Sequence, residues 1–127
     1  MWHYYNGSQQ AAFDELVNEF NSTKGKELGI NVEGISQGTV SDLAKTVSDS
    51  IDGKVGVDKL PDIFSSYADT AYYAQQKGKL VDLSEYFSKE ELEKYVDSYI
   101  EEGYLKNDKA LYLFHVAKTT ESLMINK

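Results

Sequence analysis

Three short segments carry the side chains best equipped for chemistry: Tyr5-Asn6-Gly7-Ser8, Ser36-Gln37-Gly38-Thr39 and Ser65-Ser66-Tyr67-Ala68-Asp69. Each follows an apolar run and precedes a helical pattern. Hydroxyls and amides both donate and accept hydrogen bonds, and a tyrosine face covers the apolar face of a sugar ring. The inventory therefore suits a neutral polyol. Asn, Gly, Ser and Asp also dominate turns and helix caps, which is the competing reading of the same residues.

Other chemistries fail on the residues present. There is no cysteine, so disulfides, thiolate zinc sites and a cysteine nucleophile are excluded. The histidines are His3 and His115 alone, too few for a multi-histidine metal site, and neither lies near a nucleophile-elbow motif. Both read as strand histidines. Glu90-Glu91 and Glu101-Glu102 read as solvated or dipole-favoured acids of one helix rather than a catalytic pair. Gly25, Gly29 and Gly34 match neither phosphate-binding spacing. The net charge is −8 and every basic residue is lysine, so the planar fork that clamps phosphate is missing. Nucleic acid and anionic membrane are poor partners for such a chain. No metal, cofactor or catalytic residue is expected, and no apolar run reaches the length of a membrane span.

The elements that position these loops alternate between strand and helix. Trp2–Tyr5 reads as a strand end, broken by Asn6-Gly7-Ser8, which supplies a plausible N-cap. Phe13, Leu16, Val17 and Phe20 form one stripe on a helix of about four turns. Thr23–Gly29 reads as a loop and Ile30–Glu33 as a strand. Val40, Leu43, Ala44, Val47 and Ile51 form a second stripe, closed by Gly53. Pro61 opens the apolar segment Asp62-Ile63-Phe64. Asp69 is placed to cap a third helix bearing Ala71, Tyr72 and Ala74. Ser88 and Glu91 match a capping box for a fourth, with Leu92, Tyr95, Val96, Tyr99 and Ile100 as its stripe and Gly103 at its end. Such alternation argues for an α/β chain, a mostly parallel sheet flanked by helices, forming one lobe over residues 1–127. The expected core is Phe13, Leu16, Val17, Phe20, Val40, Leu43, Val47, Ile63, Phe64, Leu92, Val96 and Ile100, with Tyr95 and Tyr99 also at core spacings.

The run Pro61-Asp62-Ile63-Phe64-Ser65-Ser66-Tyr67, followed by Tyr73-Ala74-Gln75-Gln76-Lys77-Gly78-Lys79-Leu80-Val81-Asp82-Leu83, resembles the extracellular solute-binding proteins of ABC importers. The likeness is closest to the carbohydrate-type group that includes maltodextrin receptors. The opening Trp2-His3-Tyr4-Tyr5-Asn6-Gly7, with Phe13-Asp14-Glu15-Leu16 and Phe20, is similar to that family's first strand and helix. The tail, Lys118 to Asn126-Lys127, is similar to its hinge strand. The chain departs from the family in two respects: Leu113 and His115 stand where the family often has glycine and proline, and Thr119 where some maltodextrin-type members have an acid.

The resemblance implies one lobe, the N-terminal one, of a type II periplasmic-binding-protein-like fold. It implies a non-catalytic receptor, cell-surface, lipoprotein or periplasmic, that traps a sugar or oligosaccharide between two lobes and delivers it to an ABC permease. Tyr5, Asn6, Gln37, Ser66, Tyr67 and Asp69 are the expected ligand-facing residues, with Thr119, Thr120 and Glu121 at the hinge edge of the cleft. Asn6, Gln37 and Ser66 would bond hydroxyls, Tyr67 or Tyr5 would stack, and Asp69 would accept a hydroxyl pair or cap its helix. Because one lobe supplies half a cleft and lacks a strand contributed from elsewhere, self-association by strand pairing is expected, with no measurable sugar affinity for the chain alone. The alternative from another class is a flavodoxin-like α/β enzyme domain binding a flavin or nucleotide at Asn6-Gly7-Ser8-Gln9-Gln10.

Overall fold

The computed structural model describes residues 1–105 and 109–116. The chain divides into two units, Met1–Lys79 and Leu80–Lys127. In the first, strand β1 (Trp2–His3) leads to helix α1 (Gly7–Ser22), a short helix α2 (Lys24–Leu28), strand β2 (Ile35–Ser36), helix α3 (Val40–Ile51) and helix α4 (Ala68–Gln76). β1 and β2 run parallel, with Trp2 opposite Ile35 and His3 opposite Ser36. On its other side Trp2 makes a parallel bridge to Phe64. There its N–H donates to the Ile63 carbonyl (3.0 Å), and Ser65 N–H donates to the Trp2 carbonyl (2.9 Å). The unit is a small α/β arrangement whose sheet has two parallel strands.

The core of this unit lies on one face of the sheet. Thr39 and Asp42 form a reciprocal capping box at the start of α3, which fixes where the helix begins. That phase turns Leu43 and Val47 inward against Trp2, with Tyr4, Ile51, Leu60 and Phe64 packed around them. Burying each such aliphatic side chain contributes about 1.5–3 kcal/mol. Asp49 on α3 is buried too, but its carboxylate accepts from Lys45 and Lys54, each at 2.6 Å. Those ammonium groups hold its carboxyl below the usual range. α4 joins α3 through the Tyr73 hydroxyl, which donates to Asp52 (2.5 Å).

Several expectations from the sequence are corrected. Ile30–Glu33 forms no strand. Val32 donates to the Asn21 Oδ1 and accepts from its Nδ2, both at 2.8 Å. One amide on α1 thus takes both backbone groups that a sheet neighbour would use. Thr23–Gly29 contains a helix, α2, where a loop is predicted. The N-cap of α1 is Asn6, within the expected Asn6-Gly7-Ser8 segment, whereas α4 is capped by Tyr67 rather than Asp69. Of the α1 stripe, Phe13, Val17 and Phe20 are half-buried, while Leu16 is exposed. Val40 and Ile63 are exposed as well. Ile63 alternates with Phe64, so only one of the pair meets the core face.

In the second unit a 3₁₀ turn (Leu83–Glu85) precedes two short helices, α5 (Lys89–Leu92) and α6 (Asp97–Glu101). The single fourth helix predicted from Ser88 to Gly103 is therefore broken. The Ser88–Glu91 capping box starts it as expected, but Val96 is extended and becomes the N-cap of α6. The run Tyr95-Val96-Asp97-Ser98-Tyr99 has no strong helix former to carry the helix through. The break leaves Tyr95, Val96 and Tyr99 exposed rather than core, with Leu92 and Ile100 half-buried. Tyr95 instead meets Phe114 edge-on at 4.8 Å, and Phe87 stacks on the same ring at 4.9 Å. Among the described residues of this unit, Leu105 and Leu111 are the buried aliphatics. Among the described residues of this unit there is no strand, so His115 is not a strand histidine.

Candidate functional site

Alternation along β1 decides which aromatic side chains face which layer. Trp2 and His3 point to opposite faces, because successive side chains of a strand alternate. Beyond β1 the Tyr4 and Tyr5 rings meet at 5.3 Å, and Tyr4 packs beside the Trp2–Leu43–Val47 core. The Tyr5 ring lies on the α1 side, 5.3 Å from both His3 and Phe13. The two adjacent tyrosines thus touch each other while packing on different partners.

Tyr4 borders a depression of about 170 Å³ in the first unit. Its other walls are Ser65, Ser66, Tyr67, Asp69 and Thr70 on one side, and the first turns of α3, including Val40, Ser41 and Leu43, on the other. These residues follow β1, the Phe64 bridge and β2 respectively, and all three segments run parallel. The depression thus lies beyond the carboxyl ends of parallel strands, where open α/β sheets bind ligands. The chain matches no family model, no curated protein and no solved structure. Its chemistry must be read from the residues themselves.

Tyr4 and Tyr67 face each other at 6.5 Å with rings 22° apart. Burial raises the Tyr4 phenol above its ordinary value, and the neighbouring Tyr67 and Tyr5 hydroxyls add to the effect. The phenol therefore stays protonated at neutral pH and remains a hydrogen-bond donor. Tyr67 is 59% exposed, an open aromatic face rather than a packed one. Ser66 donates to the Tyr67 carbonyl (2.7 Å), and the Thr70 N–H donates to Asp69 Oδ1 (2.7 Å). The floor supplied by α3 is apolar at Val40 and Leu43 and polar at Ser41.

Of the predicted site residues, Ser66, Tyr67 and Asp69 come together at this depression. Tyr5, Asn6 and Gln37 do not border it. Asn6 is exposed at the α1 N-terminus without a side-chain capping bond. Gln37 is half-buried, and its N–H donates to the His3 carbonyl (2.8 Å). Tyr5 is tethered through its carbonyl, which accepts from the Ser36 hydroxyl (2.9 Å). Thr119, Thr120 and Glu121 lie outside the described residues. Sequence reasoning missed Tyr4, Val40 and Ser41. The nearest signal for Tyr4 was its place directly after the β1 end, next to Tyr5 in the first of the three loops.

Among the described residues no group of three or more His, Asp or Glu side chains is placed to hold a metal ion. No helix among them is long and apolar enough to cross a membrane. In the second unit, His115 Nε2 lies 3.4 Å from a Glu102 oxygen.

Proposed function

We propose that this chain is a ligand-binding lobe of a two-lobed extracellular receptor that captures a neutral sugar or oligosaccharide and passes it to an ABC permease. The observation that carries the reading is the depression beyond the parallel strand ends, walled by Tyr4 and Tyr67 and ringed by Ser41, Ser65, Ser66, Asp69 and Thr70. A sugar ring offers apolar C–H faces to aromatic rings and hydroxyls to small polar groups, and both kinds of partner meet here. The likeness of the Pro61–Tyr67 and Tyr73–Leu83 runs to carbohydrate-type solute-binding proteins supports the same class. The type II fold of the whole receptor, the permease partner and the extracellular location rest on that likeness.

One lobe offers one wall of such a cleft, so the chain alone binds too weakly for calorimetry, and only a titration at high ligand concentration reads it. Expected is a dissociation constant of about a millimolar or weaker, roughly −4 kcal/mol at best. The test is an NMR titration of the chain with a panel of neutral mono- and oligosaccharides. Shifts confined to Tyr4, Ser41, Ser66, Tyr67 and Thr70, abolished by Tyr67→Ala with the fold intact, support the reading. A panel that leaves those resonances unmoved, or flavin or nucleotide binding at Asn6–Gln10, refutes it.

A further inference from the structure

His3 is fully buried, on the face of β1 opposite the depression. Its Nδ1 accepts a hydrogen bond from the Tyr5 N–H at 3.2 Å. An imidazole that accepts at Nδ1 carries its proton on Nε2, and that Nε2 is buried with no hydrogen-bond partner. The ring is enclosed: Phe13 lies 4.7 Å away, Tyr5 stacks at 5.3 Å, and a Cβ added to Gly34 would come within 3.4 Å of Nε2. Neutral His3 fits this place with one bond made and one donor unpaired. A second proton fits nowhere. It would sit on Nδ1 pointing at the Tyr5 N–H, donor against donor, and would leave a buried positive charge without an acceptor.

We propose that His3 is a pH-sensitive latch on the Tyr4–Asn6 loop: the neutral imidazole holds the Tyr5 amide and with it the Tyr4 wall of the depression, and protonation releases both. The loop has a second tether, the Ser36 hydroxyl to the Tyr5 carbonyl, so release frees one end rather than unfolding the segment. Two charged groups act on the imidazole. Asp14 on α1 favours its protonation, and the N-terminal ammonium of Met1 disfavours it. From the loop the Tyr5 ring stacks on it, and the Gly34-Ile35-Ser36 segment on the other side carries no titratable side chain. Burial outweighs Asp14 and lowers the His3 pKa from 6.5.

The sign follows from that direction. The released state binds a proton at about the ordinary histidine value, and the latched state binds it only at lower pH. The latch is at full strength above pH 6.5 and weakens as pH falls through that value, by about tenfold in the latched-to-released ratio per pH unit. It is lost once the latched midpoint is passed. That this also weakens sugar capture rests on the function proposed above; the latch itself does not.

The experiment follows the imidazole nitrogens of His3 and the Tyr5 amide by ¹⁵N NMR of the ligand-free chain between about pH 8 and pH 5. Expected are an unprotonated Nδ1 and a protonated Nε2 at the alkaline end, a His3 midpoint below 6.5, and a Tyr5 amide that shifts with the same midpoint. His3→Asn keeps an acceptor near Nδ1 without a titrating ring, so its Tyr5 amide should hold its position over that range. A proton on Nδ1 at pH 8, a midpoint at or above 6.5, or the same Tyr5 titration in His3→Asn would each overturn the latch. If the latch titrates as described while no glycan disturbs Tyr4 or Tyr67, the latch stands and the sugar reading falls.

Discussion

Leu16 and Leu43 occupy equivalent places in the sequence pattern, and the structure separates them. Leu43 is 2% exposed beneath Trp2 and beside Val47, whereas Leu16 is 64% exposed on α1. Full burial of a leucine contributes about 1.5–3 kcal/mol. A little over a third of that, about 0.5–1 kcal/mol, is at stake at Leu16, and the better helix propensity of alanine offsets part of it. Leu43→Ala loses the full transfer energy and leaves a cavity, for about 2–5 kcal/mol. With a urea slope of about 2 kcal/mol/M, Leu43→Ala should lower the denaturation midpoint by about 1–2.5 M and Leu16→Ala by under about 0.5 M. The assay is urea unfolding followed by far-ultraviolet circular dichroism. Leu43→Met, which conserves volume, should cost less than about 1.5 kcal/mol and reports on the same site if Leu43→Ala does not fold. Equal losses for Leu16→Ala and Leu43→Ala would refute the reasoning, because they would mean that the α1 face is covered in solution.

Two further outcomes are expected. Gly25 sits where α1, α2 and Ile30 converge, and an added Cβ would lie 2.5 Å from the Ile30 carbonyl oxygen and 3.0 Å from that of Phe20. Gly25→Ala should therefore cost about 1–3 kcal/mol despite alanine's helix propensity, and a raised thermal midpoint would contradict this. In the second unit the Asp82 carboxylate accepts from the Ser84 hydroxyl (2.6 Å), the Ser84 N–H (2.9 Å) and the Leu111 N–H (3.0 Å). The Ser84 hydroxyl and N–H, then the Leu111 N–H, lower its pKa from 3.8. Its stabilising effect is thus present above that value and is lost as pH falls through the lower folded one. Hydrogen exchange at the Leu111 amide should quicken in Asp82→Ala at neutral pH, and an unchanged rate would contradict the assignment.

What the sequence determined by itself is what acts over one or two turns. The Ser88–Glu91 box starts its helix where the residues predict, because both bonds of a capping box close within four residues, and the Thr39–Asp42 box, not read from the sequence, starts α3 by the same local means. Gly53, at φ +66°, stands just past the end of α3 for an equally local reason. The Leu43–Val47 stripe and the polar loops after the strands were legible from spacing alone. Which stripe is covered was not. Burial depends on partners far along the chain, so the Phe13–Phe20 and Leu92–Ile100 stripes read like core although Leu16, Val96 and Tyr99 stand exposed. The strand predicted at Ile30–Glu33 was lost to Asn21, eleven residues before Val32, whose single amide satisfied the backbone groups that a sheet would have paired. The site was divided in the same way. Ser66, Tyr67 and Asp69 were readable because they follow one strand end, but Tyr4 joined them only because β1 pairs with both Ile35–Ser36 and Phe64. Pairing on both sides pins β1 and so sets where Tyr4 enters the α3 core and Tyr5 meets His3 and Phe13, and a sheet register is a property of three distant segments rather than of any one of them.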